Sequence, residues 1–113
     1  MQKKNEKRIR LKKKIRVKIK GTGDRPRLSV FRSNKFIYAQ VINDSSGKTL
    51  VQASDVKMAK GTKLERAKEV GRAIAGAALK EKIKKVVFDR NGFKYTGRIK
   101  LVADEARASG LEF

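Results

Sequence analysis

Eleven of the first twenty residues are Lys or Arg: Lys3, Lys4, Lys7, Arg8, Arg10, Lys12, Lys13, Lys14, Arg16, Lys18 and Lys20. Glu6 is the single acid among them, so this stretch carries a net charge of +10. Cations at this density do one kind of chemistry well: they neutralise a row of phosphates and release the counterions those phosphates had condensed. The whole chain repeats the bias, with 31 Lys+Arg against 11 Asp+Glu in 113 residues and a formal charge of +20. A free protein with this charge repels itself, which points to a polyanionic partner, nucleic acid first and an anionic membrane surface second. The chain has no His and no Cys. That removes the commonest general base and metal ligand, thiol nucleophiles, zinc-thiolate sites and disulfides. Most hydrolytic mechanisms therefore lack a starting residue, and no cofactor or small-molecule substrate is expected. No apolar run approaches the ~18 residues of a membrane span, and the basic N-terminus lacks the apolar stretch of a secretory signal. These features predict a cytoplasmic, non-enzymatic protein.

The elements that would position these groups follow from apolar spacing. Ile9, Leu11, Ile15, Val17 and Ile19 recur at odd positions, a period of two that predicts an extended segment rather than an amphipathic helix. It also argues against membrane binding, which calls for a basic amphipathic helix. Mutual repulsion within Lys12–Lys14 predicts a flexible arm that orders only on its partner. Gly21-Thr22-Gly23-Asp24 reads as a hinge before Pro26, giving an arm at 1–24 and a globular domain at 25–113. Within the domain, 27–33 and 36–43 read as strands joined by an Asn34-Lys35 turn, and 49–54 as a third. Leu28, Val30, Ile37, Ala39 and Val41 share one face of this meander, while Phe31, Phe36, Tyr38 and Gln40 lie on the other. Leu64, Ala67, Val70, Gly71, Ile74, Ala75, Ala78 and Leu79 follow helical spacing and predict a helix over about 64–82. Gly71 and Gly76 are tolerable there if they let the helix lie close to the sheet. Lys85–Asp89 predicts a buried strand parallel to an earlier one, and about 99–109 a last helix with Val102, Ala103 and Ala106 inward, stopped at Gly110. The expected fold is α/β: a mixed four-stranded sheet in the order β-β-β-α-β-α, covered by helices, with a basic flexible N-terminal arm.

A second group of candidate RNA-binding residues belongs to the domain. Arg25, Arg27, Arg32, Ser33, Asn34 and Lys35 cluster at the ends of the first two strands, near the arm, where they can meet phosphates or serve as ordinary surface polarity. Phe36, Tyr38 and Gln40 can face bases, although half-buried aromatics also simply pack. Arg90 can contact RNA, with an ion pair to Asp89 as the favoured alternative. Tyr95 leads into Gly97-Arg98, where a helix start and a guanidinium can address one phosphate together.

Four separated blocks carry a recognisable pattern: RPRLSVFRSNKFIYAQVI at 25–42, AKEVGRAIAGAAL at 67–79, VVFDRNGFKYTGRIKLVADEAR at 86–107 and the closing SGLEF. In order and spacing they resemble the bacterial family of large-subunit ribosomal protein eighteen. The resemblance implies a strand order of 3-2-1-4 and a 5S rRNA binder that helps attach this RNA to 23S rRNA, next to large-subunit protein five. It also implies a monomer within the ribosome. The chain departs from the family at Phe36 and Thr96, where His is common. One rival shares the order of elements: a ribonuclease H-like nuclease, which holds two metal ions with several carboxylates. Its first strand would need an acid, and RLSVFRS has none; Asp89 is isolated, and Asp24, Asp44 and Asp55 fall in predicted loops.

Overall fold

The computed structural model describes residues 9–10, 25–58 and 61–113. Three strands come first: β1 (Arg27–Arg32), β2 (Ile37–Asn43) and β3 (Lys48–Ser54). They are followed by α1 (Lys63–Lys80), β4 (Val87–Asp89) and α2 (Gly97–Ala108). The sheet order is β3-β2-β1-β4, with β1 antiparallel to β2, β2 antiparallel to β3 and β4 parallel to β1. This is the mixed β-β-β-α-β-α sheet that the spacing and the family resemblance predict. The last strand is shorter than expected, because Lys85 leaves β1 and bridges Glu112 near the C-terminus instead. Val86 N donates to the Glu112 carbonyl at 3.0 Å and Val87 N to the Pro26 carbonyl at 2.9 Å, so the chain changes partner between adjacent residues.

The alternation of β1 and β2 puts Leu28, Val30, Ile37, Ala39 and Val41 on one face, all fully buried against the helices. From α1 come Ala67, Val70, Ile74, Ala75 and Ala78, and from α2 Ile99, Val102 and Ala106, with Val86 and Leu111 closing the cluster. Each large aliphatic in this set contributes about 1.5–3 kcal/mol on burial. Leu64, expected inward, is 52% exposed. It sits in the first turn of a helix that starts at Lys63, one residue earlier than its periodicity suggested. That start is fixed by a capping box: Glu65 N donates to Thr62 Oγ1 at 3.2 Å and Thr62 N to Glu65 Oε2 at 3.1 Å. Such a cap is worth about 1 kcal/mol.

The two helix glycines differ. A Cβ on Gly71 would lie 2.6 Å from the Val102 carbonyl oxygen and 2.8 Å from Glu105 Cβ. The close approach there is therefore between α1 and α2, not between α1 and the sheet. Gly76 is exposed, and a Cβ on it would meet nothing within 4 Å. At the end of α2, Gly110 has φ 119° and Leu111 N donates to the Ala106 carbonyl at 3.1 Å, the expected stop. Leu111 then folds into the core, and Phe113 stacks on Phe88 with centroids 5.5 Å apart.

Candidate nucleic-acid interface

The helices cover one face of the sheet. The other face carries Arg27, Ser29 and Phe31 from β1, matched in register with Ile42, Gln40 and Tyr38 of β2. At the β4 side this face is closed by ion pairing. Arg27 Nη1 donates to Asp89 Oδ2 at 2.8 Å, and its Nε and Nη2 donate to the two Asp44 oxygens at 3.0 and 3.1 Å. Arg27 is only 6% exposed and Asp89 fully buried. Burial alone would lower the Arg27 pKa, but the hydrogen bonds and charges of Asp44 and Asp89 outweigh it and raise the value. Arg27 was expected as a surface cation for phosphate; the structure makes it the internal counter-ion of two carboxylates. The expected Asp89–Arg90 pair is likewise replaced by Asp89–Arg27, because the parallel register sets Asp89 beside Ser29, two residues from Arg27 on the same face.

The same network shapes the loop after β4. Asp89 Oδ1 accepts from Asn91 N at 2.9 Å, and Asn91 Nδ2 donates to Ser29 Oγ at 2.7 Å and the Val30 carbonyl at 2.9 Å. Asn91 and Gly92 have φ of 52° and 78°, and Phe93 N donates to the Arg90 carbonyl at 3.0 Å. Two successive positive φ values are what a type I′ turn needs, and Asn-Gly is its preferred pair. The turn lays Phe93 against Phe31, with ring centroids 5.4 Å apart and an interplanar angle of 74°. Phe31 also meets Tyr38 at 6.4 Å, and the Arg32 guanidinium lies over Phe93 at 5.4 Å.

A cationic corner forms where the β1–β2 turn meets the N-terminal ends of both helices. Arg98, in the first turn of α2, donates from Nη2 to the Ser33 carbonyl at 3.0 Å. Lys63, the first residue of α1, donates to the Asn34 carbonyl at 2.7 Å. Arg66 Nε stands 3.7 Å from Oδ2 of the buried Asp55, whose Oδ1 accepts from Ile37 N at 2.8 Å. Asp55 Oδ2, Arg66 Nε and Arg98 Nη1 are buried with no hydrogen-bond partner among the described residues. Burial and the neighbouring charges of Arg32 and Arg66 lower the Arg98 pKa, opposed only by Asp55. With Arg32, Lys63, Arg66 and Arg98 against Asp55 and Glu65, the corner holds more positive charge than its carboxylates offset, and an incoming anion relieves that repulsion. At the start of α2, Thr96 provides no side-chain cap, and Gly97 has φ 55° with open space where a Cβ would be. The first amides of a helix have no partner within it, which is the feature an anion site uses.

The remaining expected residues lie in differing surroundings. Arg32, Ser33, Asn34 and Lys35 are exposed beside this corner, although the Ser33 hydroxyl is engaged in the turn, accepting from Phe36 N at 3.1 Å, whereas Arg25 is exposed at the opposite end of β1. Phe36, Tyr38, Gln40 and Arg90 are half-buried, and Tyr38 and Gln40 line a shallow depression with Gln52 and Ser54. Tyr95 is drawn away from the corner: its ring packs edge-on against Phe88 at 5.7 Å and its hydroxyl accepts from Arg107 at 3.1 Å. Of the arm, Arg10 is exposed and, with Ile9, takes helical backbone where the alternation predicted extension. Lys3, Lys4, Lys7, Arg8, Lys12, Lys13, Lys14, Arg16, Lys18 and Lys20 lie outside the described residues. Lys63 and Arg66 were not anticipated, since nothing in the sequence brings the start of α1 to the β1–β2 turn. Among the described residues no three carboxylates gather as a metal pair would need; instead Asp44 and Asp89 bind Arg27 and Asp55 faces Arg66.

Comparison with known proteins agrees with this architecture. Residues 2–113 match the family described as ribosomal L18 of archaea, bacteria, mitochondria and chloroplasts. The chain is 58% identical over 113 residues to the large ribosomal subunit protein uL18 of Lactobacillus johnsonii, covering 97% of this chain and 95% of that protein. To the protein of the same name from Thermotoga neapolitana it is 55% identical over 115 residues, covering 96% and 94%. To that of Kosmotoga olearia it is 51% identical over 121 residues, covering 100% and 99%. With a match that runs nearly end to end, on a sheet whose order and register agree with the sequence pattern, the chain belongs to the ribosomal L18 family.

Proposed function

We propose that this chain binds 5S rRNA and helps attach it to 23S rRNA, beside large-subunit protein five. Family membership makes it a structural constituent of the large ribosomal subunit rather than an enzyme. The observation that carries the RNA reading is the segregation of charge: +10 in the first twenty residues, and Arg32, Arg66, Arg98 and Lys63 gathered at the corner of the domain beyond Pro26. In this reading residues 1–24 are a phosphate-binding arm and residues 25–113 the domain that recognises RNA shape. Arg98, the uncapped start of α2 and Gly97 hold one phosphate; Arg32 and Lys35 track the backbone next to it, and Arg25 meets RNA at the other end of β1. Arg27 is withdrawn from this interface, because its Nε, Nη1 and Nη2 all donate to two carboxylates.

The test is salt dependence. If the arm and the corner together neutralise about six to ten phosphates, affinity for 5S rRNA falls by about 10³–10⁵ between 50 and 200 mM salt. Removing residues 1–20 flattens the log-log slope. An unchanged slope after removal refutes the role given to the arm.

A further inference from the structure

We infer that the depression between β2 and β3, on the sheet face opposite α1 and α2, is a seat for the minor groove of an RNA helix, in which the Gln40 and Gln52 amides address ribose 2′-hydroxyls. The inference rests on the RNA-binding reading above and adds to it the structural class of RNA that this face takes. Four uncharged polar side chains stand there in two cross-strand pairs, Gln40 opposite Gln52 and Tyr38 opposite Ser54. Gln52 is exposed and Gln40 half-buried, and among the described residues neither amide has a hydrogen-bond partner. The two pairs are adjacent on one face of the ladder, so their spacing along the strands is fixed by the pleat. Each amide offers both donors and an acceptor. A phosphate oxygen only accepts and would leave part of this capacity unused, whereas a 2′-hydroxyl both donates and accepts.

Charge chooses RNA over a protein neighbour. Asp44 and Asp89, the described carboxylates nearest this face, are both bound to Arg27, and Asp55 at its edge faces Arg66. The other described carboxylates, Glu65, Glu69, Glu81, Asp104, Glu105 and Glu112, belong to the helices or to the segments that follow them. Cations meanwhile stand at both ends of β1. The corner of Arg32, Lys63, Arg66 and Arg98 adjoins its C-terminal end, and the +10 segment of residues 1–20 joins the domain ahead of its N-terminal end. Strand geometry sets these ends roughly 20 Å apart, too far for one phosphate to meet both. A polyanion crossing the face meets both, and what it turns to the sheet between them is matched if it is uncharged and polar. The minor groove of A-form RNA has this character, being wide, shallow and lined with 2′-hydroxyls. Ser54 is next to Asp55 in the chain, so the seat is continuous with the phosphate corner.

The test uses the full chain and 5S rRNA carrying 2′-deoxy substitutions at random positions. With wild type, the substitutions that weaken binding should cluster on the two strands of one RNA helix, facing each other across its minor groove. The double variant Gln40→Met/Gln52→Met keeps side-chain length and removes both amides. It should bind unsubstituted 5S rRNA about tenfold more weakly, the scale of two neutral hydrogen bonds, with an unchanged salt slope because no phosphate contact is lost. The clustered 2′-deoxy positions should become silent in this variant, and its urea midpoint should match wild type. The inference is overturned if wild type shows no such cluster, a measurement that needs no variant to fold. It is equally overturned if the double variant binds as tightly as wild type, as it would were this face covered by a protein, or if binding weakens with the 2′-deoxy pattern intact, which would make the amides purely structural. Failure of wild type itself to bind 5S rRNA removes the RNA reading as well; a tight complex without the 2′-deoxy cluster removes only the minor-groove seat.

Discussion

The two glycines of α1 should respond to the same substitution with opposite signs. In an exposed helix interior, Gly→Ala gains up to ~1 kcal/mol from helix propensity. Gly76 meets this condition, with open space around the added methyl, so Gly76→Ala should stabilise the domain by about 0.5–1 kcal/mol. At Gly71 the methyl would sit 2.6 Å from a backbone carbonyl oxygen of α2, 2.8 Å from Glu105 Cβ and 3.2 Å from Val102 Cα. Ordinary contact distances are about 3.5–4.0 Å. No rotamer change relieves a clash with backbone, so α1 and α2 must separate, and the layer formed by Val70, Ile74, Val102 and Ala106 loosens with them. Overpacking of this kind costs about 1–3 kcal/mol, and a backbone clash belongs at the upper end. Subtracting the propensity gain leaves Gly71→Ala destabilised by about 2 kcal/mol, roughly 3 kcal/mol apart from Gly76→Ala. Urea unfolding of the free protein, followed by far-UV circular dichroism, measures both. Equal or greater stability for Gly71→Ala would show that the helices are not in the close contact described.

Two further substitutions separate stability from binding. Arg27→Ala leaves buried Asp89 without the Arg27 counter-ion and removes two hydrogen bonds to Asp44, so urea unfolding should show a loss of about 3–5 kcal/mol; a loss under about 1 kcal/mol would mean the ion pairs are not buried as described. Arg98→Ala should weaken 5S rRNA binding by about 1.5–3 kcal/mol, the scale of a charge-assisted hydrogen bond, with little change in melting temperature. Arg98→Lys should recover only part of this, since an ammonium keeps the charge but not the two-pronged geometry. Filter binding at moderate salt decides it, and equal affinity for wild type and Arg98→Ala sinks the phosphate site.

Local pattern made most of the architecture legible. The alternation in 27–43 identified the buried face residue by residue, and the three-and-four spacing of Ala67 to Ala78 identified α1, because both periods are imposed directly by backbone geometry. What escaped were facts created by distant partners. Gly71 was read against the sheet because the sequence does not say which neighbour a small residue admits. Lys85 was assigned to the strand because its bridge to Glu112 depends on where the C-terminus returns. Arg27 looked like a surface cation since no described helix covers its strand face, and it is enclosed by Asp44 and by the register with Asp89, 62 residues away. The site was legible to the same degree. Arg32, Arg98 and the β1–β2 turn stood out by type, whereas Arg66, Lys63 and the Phe31–Phe93 pairing depend on tertiary closure. The capping box Thr62-x-x-Glu65 was present in the sequence as a signal, and reading it would have placed the start of α1 correctly.

The central claim is selective recognition of 5S rRNA, and competition binding tests it most directly. With labelled 5S rRNA bound to the full chain at moderate salt, excess unlabelled 5S rRNA should displace it, whereas transfer RNA of equal nucleotide concentration should leave most of the complex intact. Selectivity is expected because phosphate contacts alone carry no sequence information, and the domain adds the fixed corner and sheet face that read RNA shape. Equal displacement by the two RNAs would contradict the account, reducing the protein to a non-specific polycation.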